Sequence, residues 1–166
     1  YLFDQIEHDL KNKMVFVAGP RQVGKTTLAK QFLDNSKGYL NWDIPKDREE
    51  LLKQEFPNTS LWVFDEIHKY KSWRNFLKGV YDQFGTEKKI LVTGSAKLDV
   101  YRRGGDSLQG RYHHLRLHPL SVAELSINTQ KEFTSLLTLG GFPEPFFKGN
   151  ATEAKRWSRE YRQRLI

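Results

Sequence analysis

Apolar and polar positions along this chain follow two periods, and the places where one gives way to the other mark its elements. Runs of strand length stand at 14–18, 39–42, 61–64, 90–93 and 112–117. The runs at 14–18, 61–64 and 90–93 are almost continuously apolar, the pattern of parallel strands buried on both faces. Longer segments of helical period separate them. One, at 24–35, opens in a glycine-rich stretch; a second, at 47–56, is stopped by Pro57. A third covers 72–84, with Ser72 placed as a cap and with Trp73, Phe76, Leu77, Val80 and Tyr81 recurring every three or four residues as one apolar face. Further helical segments follow at 121–125, 132–139 and from 151 onward, and "GGFPEP" at 140–145 breaks the pattern. Alternation of strand and helix predicts an α/β sheet.

Composition narrows the class. With 166 residues, 38% hydrophobic and 28% charged, the chain suits one globular domain that buries roughly 70% of its unfolded surface. It has no cysteine, hence no disulfide framework and no thiolate metal site. Lack of cysteine fits a reducing compartment, and a cytoplasmic protein is expected; no run reaches the roughly 20 apolar residues that cross a bilayer and no basic, apolar, small-residue leader pattern opens the chain, so no membrane insertion is expected. The net charge of +7 points to anionic partners, nucleic acid or a nucleotide polyphosphate. A first residue other than Met and a basic, helix-like end lead us to expect a piece of a longer chain.

The chemistry concentrates in "GPRQVGKTT", residues 19–27. The pattern G-x-x-x-x-G-K-[ST] occurs once, after a strand and before a helix, the context a phosphate-binding loop requires. Gly19 and Gly24 permit the turn that lines up backbone N–H groups, and Pro20, Arg21, Gln22 and Val23 complete the loop. Lys25 is placed to reach the β- and γ-phosphates, Thr26 to ligate Mg²⁺ through its hydroxyl, and Thr27 to assist near the α-phosphate. Arg21 is placed to lean over the phosphates. A second motif, "LWVFDE" at 61–66, puts Asp65 at the tip of a buried strand as a Mg²⁺ holder and Glu66 beside it as the carboxylate that polarises an attacking water. This pairing favours hydrolysis over transfer to a small acceptor. A third, "ILVTGS" at 90–95, ends in Ser95, which with Thr93 as the second choice is placed to contact the γ-phosphate or the water.

With these motifs the chain resembles the additional-strand class of P-loop NTPases, and closely the AAA-type predicted ATPases of bacteria and archaea, whose ATPase core is typically followed by a further C-terminal domain. The resemblance runs through "AGPRQVGKTTL", "LNWDIPKDR", "LWVFDEIHKYKSWRNFLKGVYD", "ILVTGSAKLDVYRRGGDSLQGRY" and "GGFPEPF", nearly the whole chain. It implies a three-layer α/β/α fold with a mostly parallel five-stranded sheet in the order 5-1-4-3-2, the Ser95 strand lying between those of the phosphate loop and Asp65. It also implies a division into an ATPase core at 1–139 and a Gly-Pro hinge with the start of a helical region at 140–166. In the related signal-transducing NTPases with numerous domains a Gly-x-Pro element contacts adenine. Gly141-Phe142-Pro143 fits that element, with Pro143 as the base-side wall, and equally fits a plain interdomain turn.

Phosphoryl transfer gains from an arginine that neutralises charge on the γ-phosphate, in its own chain or across an interface. Arg102, Arg103 and Arg111 are the candidates; Arg111 is preferred, since "QGRY" matches a Gly-Arg pair that recurs in the resembled family. His113 and His114 fall on opposite faces of a strand, which does not suit a shared zinc ion. His68 is placed either to orient Glu66 or to serve as a polar helix start. The basic tail reads as a solvated helix with Trp157, Tyr161 and Leu165 as its packing stripe. Three readings remain open: a Mg²⁺-dependent ATPase whose ATP/ADP state drives an attached domain or protein partner, a nucleotide-gated switch with negligible turnover, and a nucleic-acid-dependent ATPase. Oligomeric state is not read from the sequence.

Overall fold

Each predicted apolar run forms a strand in the protein's structure, a computed structural model that describes residues 1–34, 36–95 and 108–163. These are β1 (Met14–Ala18), β2 (Tyr39–Asn41), β3 (Leu61–Asp65), β4 (Lys89–Gly94) and β5 (Tyr112–Arg116). All neighbours pair in parallel, in the order β2-β3-β4-β1-β5, which is the expected order read from the other edge. β1 and β3 are buried at every position, and β4 at every position but Lys89, because both of their faces are covered.

The helices are α1 (Leu2–Asp9), α2 (Lys25–Lys30), α3 (Pro45–Lys53), α4 (Trp73–Phe84), α5 (Gln130–Leu139), α6 (Pro143–Lys148) and α7 (Ala151–Gln163). Even-numbered strand residues (Met14, Phe16, Leu40, Trp62, Phe64, Ile90 and Val92) join Trp73, Leu77 and Val80 of α4 and Leu51 of α3 in one core. Each such side chain, fully buried, contributes about 1.5–3 kcal/mol. Odd-numbered residues point the other way. There Val15, Val17, Val63 and Leu91 are buried, and α1 and α2 lie against β1, β3 and β4. Register places Val63 opposite Tyr39, and Asp65 opposite both Asn41 and Thr93, on the α2 side of the sheet.

Several element bounds differ from expectation for local reasons. α2 stops at Lys30 because its bonds tighten: Gln31, Phe32 and Leu33 donate to carbonyls three residues back. Asn35, the expected end of that helix, lies outside the described residues. α3 starts earlier, at Pro45, whose missing N–H is not needed in a first turn. Ser72 occupies the N-cap position of α4, but its side chain makes no capping hydrogen bond, contrary to the role expected of it. The segment 121–125 is a single turn closed by Leu125 N–H on the Ser121 carbonyl, after which Ser126 turns left-handed at φ 50°. α5 starts two residues early because Thr129 and Glu132 form a reciprocal capping box, worth about 1 kcal/mol. α1 and α6 were not foreseen.

The chain divides into two compact units, Tyr1–Leu117 and His118–Ile166. The "GGFPEP" segment falls inside the second. There the Leu120 N–H donates to the Gly141 carbonyl, and a Cβ on Gly141 would meet the Leu120 carbonyl oxygen at 2.7 Å. Phe142 packs on Trp157 and Tyr161, each ring pair 4.9 Å apart, so two residues of the expected stripe do pack; Leu165 lies outside the described residues.

Candidate functional site

The buried strand β1 ends at Ala18, and the chain turns at once. A Cβ on Gly19 would stand 2.4 Å from the Leu117 backbone oxygen, so only glycine fits where the loop leaves the sheet beside β5. Gly24, at φ 100°, adopts the left-handed conformation that opens α2, and Gln22 sits at φ 60°. Val23 is buried and anchors the loop, while Arg21, Gln22 and Thr27 are exposed on it. The Lys25 ammonium, 6% exposed, donates to the carbonyls of Gly19 (3.1 Å) and Pro20 (2.6 Å). An ammonium has three N–H donors, so a third is left for an anionic oxygen. Burial lowers the Lys25 pKa, and the nearby carboxylates Glu66 and Asp65 work against that shift.

Asp65 ends β3 with its carboxylate buried, at 3% exposure, and it accepts from three hydroxyls. Thr26 Oγ1 (2.7 Å) and Tyr39 OH (2.6 Å) donate to Oδ2, and Thr93 Oγ1 (2.5 Å) donates to Oδ1. A buried carboxylate without such donors would be costly, so the three bonds satisfy and orient it. Burial, and then the bond to Asp65, push the Tyr39 pKa well above its ordinary value, so its hydroxyl remains a donor. Asn41 Nδ2 donates to the Tyr39 oxygen at 3.2 Å.

Glu66 follows at φ 57°, a left-handed conformation few non-glycine residues adopt and one that concentrates at functional sites. Its N–H donates to the Thr93 carbonyl at 3.0 Å, tying it to β4. Its Oε2 lies 3.1 Å from Lys69 Nζ and 3.7 Å from His68 Nε2. Lys69 also pairs with Asp43 through a short contact. Although burial opposes it, hydrogen bonds to Asp43 and Glu66 raise the Lys69 pKa. Ser95 Oγ is 3.1 Å from the same His68 nitrogen, so His68 stands between Ser95 and Glu66.

The structure therefore brings Lys25, Thr26, Asp65, Glu66 and Ser95 together at the C-terminal tips of β1, β3 and β4, where open α/β sheets take ligands. The donor set fits a polyphosphate with a hard divalent cation: a glycine cradle that a Cβ would fill, a desolvated ammonium, and a hydroxyl beside a carboxylate. The hydroxyl of Thr93, the alternative to Ser95, is committed to Asp65.

Arg111 stands apart from this group. It precedes β5 at the end of the sheet opposite the loop, since Tyr112 pairs with Met14, the first residue of β1. Its guanidinium is paired with Asp82 of α4 at 2.7 and 3.3 Å. In its own chain it is not at the phosphate loop. Arg102 and Arg103 lie outside the described residues, and Pro143 opens α6 in the second unit. Sequence reasoning missed Tyr39 and Lys69. The alternation of Tyr39 and Asn41 with buried Leu40 was the one available signal for the former.

Among the described residues no helix is long and apolar enough to cross a membrane. A family model described as "AAA domain" matches residues 11–126. Uncharacterized proteins of Mycobacterium bovis and Mycobacterium tuberculosis are each 26% identical over 153 residues, covering 89% of this chain and 34% of theirs. The chain thus spans about a third of the length of these curated relatives. A crystal structure of a Signal Transduction ATPase with Numerous Domains protein with a tetratricopeptide repeat sensor, from Pyrococcus horikoshii, superposes with a TM-score of 0.53. It is 19% identical, over 84% of this chain and 28% of that one, a likeness of fold.

Proposed function

The chain belongs to the AAA domain family of P-loop NTPases, and from that premise we propose that it binds Mg-ATP at residues 19–27, hydrolyses it to ADP and phosphate, and uses the nucleotide state to drive or switch an attached domain or partner. The observation that carries this reading is the 2.7 Å bond from Thr26 to Asp65, which joins the phosphate loop to the carboxylate tip that Glu66 extends. Thr26 donates its proton to Asp65 and so keeps its oxygen lone pairs for a metal ion. Thr26 and Asp65 would hold Mg²⁺, which when bound would neutralise phosphate charge. Lys25 adds a fixed positive charge from the loop, Glu66 accepts a hydrogen bond from the attacking water and orients it, and Ser95 contacts the γ-phosphate side. An arginine reaching the phosphates comes from elsewhere than Arg111 of the same chain.

Steady-state phosphate release from purified chain and ATP tests this, with EDTA and Lys25→Ala as controls. Turnover that needs Mg²⁺ and vanishes in Lys25→Ala is expected. Absence of both turnover and mant-ATP binding in the wild-type chain would sink the proposal.

A second reading, a nucleotide-gated switch with very slow turnover, is favoured by the Glu66–Lys69 ion pair, which engages the carboxylate the reaction needs. If that pair restrains Glu66, Lys69→Met raises kcat about two- to fivefold, the factor set by a partly exposed ion pair worth up to about 1 kcal/mol. Unchanged or reduced kcat removes the support for the switch.

A further inference from the structure

Asp65 accepts from three hydroxyl donors, and one of them comes from outside the phosphate loop and its neighbouring motifs. Tyr39 lies on the sheet's edge strand β2, beside β3. Its hydroxyl donates to Asp65 Oδ2 at 2.6 Å, the oxygen that also takes the Thr26 proton. The Tyr39 oxygen itself accepts from Asn41 Nδ2 at 3.2 Å, which directs the phenolic hydrogen toward Asp65. Lys30 Nζ stands 4.5 Å from the centre of the ring, fixing the side chain from α2. The hydroxyl is therefore oriented by Asn41, on a ring that Lys30 covers, and is aimed at one oxygen.

From this geometry we propose that Tyr39 is a positioning residue for the metal. Its hydroxyl locks the Asp65 carboxylate in the rotation that keeps Oδ2 on Thr26, and so sets the strength with which Mg²⁺-nucleotide is held. The proposal rests on the Mg-nucleotide reading of the site, and not on hydrolysis. Without the Tyr39 proton, Oδ2 keeps only the Thr26 bond and Oδ1 the Thr93 bond, so two donors instead of three fix the carboxylate and the acceptor of the Thr26 hydroxyl is less firmly placed. Partners that orient a metal site from behind its ligands are typically worth 10- to 100-fold in metal affinity or activity.

The test uses the full chain and mant-ATP fluorescence, titrated with Mg²⁺ from an EDTA-treated start, in wild type and Tyr39→Phe. The substitution keeps the ring and its contact with Lys30 and deletes one oxygen. The Mg²⁺ concentration at half-saturation is expected to rise about tenfold, with metal-free mant-ATP affinity and melting temperature close to wild type. Asn41→Ala, which frees the Tyr39 hydroxyl from its orienting donor, is expected to shift the same midpoint in the same direction by less. An unchanged midpoint in both folded variants overturns the proposal while leaving the ATPase reading intact. A shifted midpoint in a wild-type background that never hydrolyses ATP supports the Tyr39 role and removes the ATPase reading instead. If the wild-type chain binds no mant-ATP at any Mg²⁺ concentration, both fall.

Discussion

Glu66→Gln is expected to lower kcat by about 100-fold or more, the range over which a positioned general base contributes, with mant-ATP affinity within a factor of a few of wild type. The substitution is nearly isosteric, so the strained φ of 57° and the N–H bond to Thr93 persist. What disappears is the carboxylate's capacity to accept a proton. Glu66 makes no hydrogen bond to Lys25 or Thr26, so the loop has no reason to release nucleotide when it is neutralised. A split between kcat and binding is therefore the signature, read by single-turnover hydrolysis alongside equilibrium fluorescence. Equal loss of binding and turnover would mean that Glu66 organises the loop rather than the water.

The second large effect belongs to Gly19→Ala. The new methyl group would lie 2.4 Å from the Leu117 backbone oxygen, well inside contact distance, and no side-chain rotation can relieve a clash with backbone. Leu117 is held in turn by its N–H on the Ala18 carbonyl at 2.8 Å, so the strain falls on the junction of β1 and β5. Overpacking of this kind costs about 1–3 kcal/mol, measurable by urea unfolding. The loop must also move off its carbonyl contacts with Lys25, so nucleotide binding is expected to be lost even where the variant folds. A variant with wild-type stability and binding would mean that the loop leaves the sheet by another path.

Contiguity explains what could be read in advance. The phosphate loop, Asp65, Glu66 and Ser95 each lie within a few residues of an apolar run, and the three central strands were visible because burial on both faces leaves no polar position to interrupt them. Strand order came from family resemblance, since periodicity does not say which strands are neighbours. α6 was hidden because Pro143 and Pro145 look like breakers, yet both sit in the helix's first turn, where a missing N–H forfeits no intrahelical bond. α1 was hidden because its inward face mixes Ile6 with Asp9, a buried carboxylate held by Gln5 and His8. Tyr39 was beyond reach for another reason: its partner is 26 residues away, and only the β2–β3 register joins them. The end of the sheet at which Arg111 stands was legible as well. A residue just before a parallel strand stands at the opposite end of the sheet from a loop just after its neighbour.

The placement of β1 between β4 and β5 also orders events during synthesis. The phosphate-loop strand leaves the ribosome before both of its sheet partners, which start at Lys89 and Tyr112. At about 5–20 residues per second, translation from residue 18 to residue 89 takes roughly 4–14 s. Throughout that interval the nascent chain carries an apolar strand with two open edges and no nucleotide pocket, so ligand cannot assist its maturation. Until then helix α1 is the one element among the described residues that is made before that strand and can cover it, and a bound nucleotide could add stability only after β4 has entered between β1 and β3.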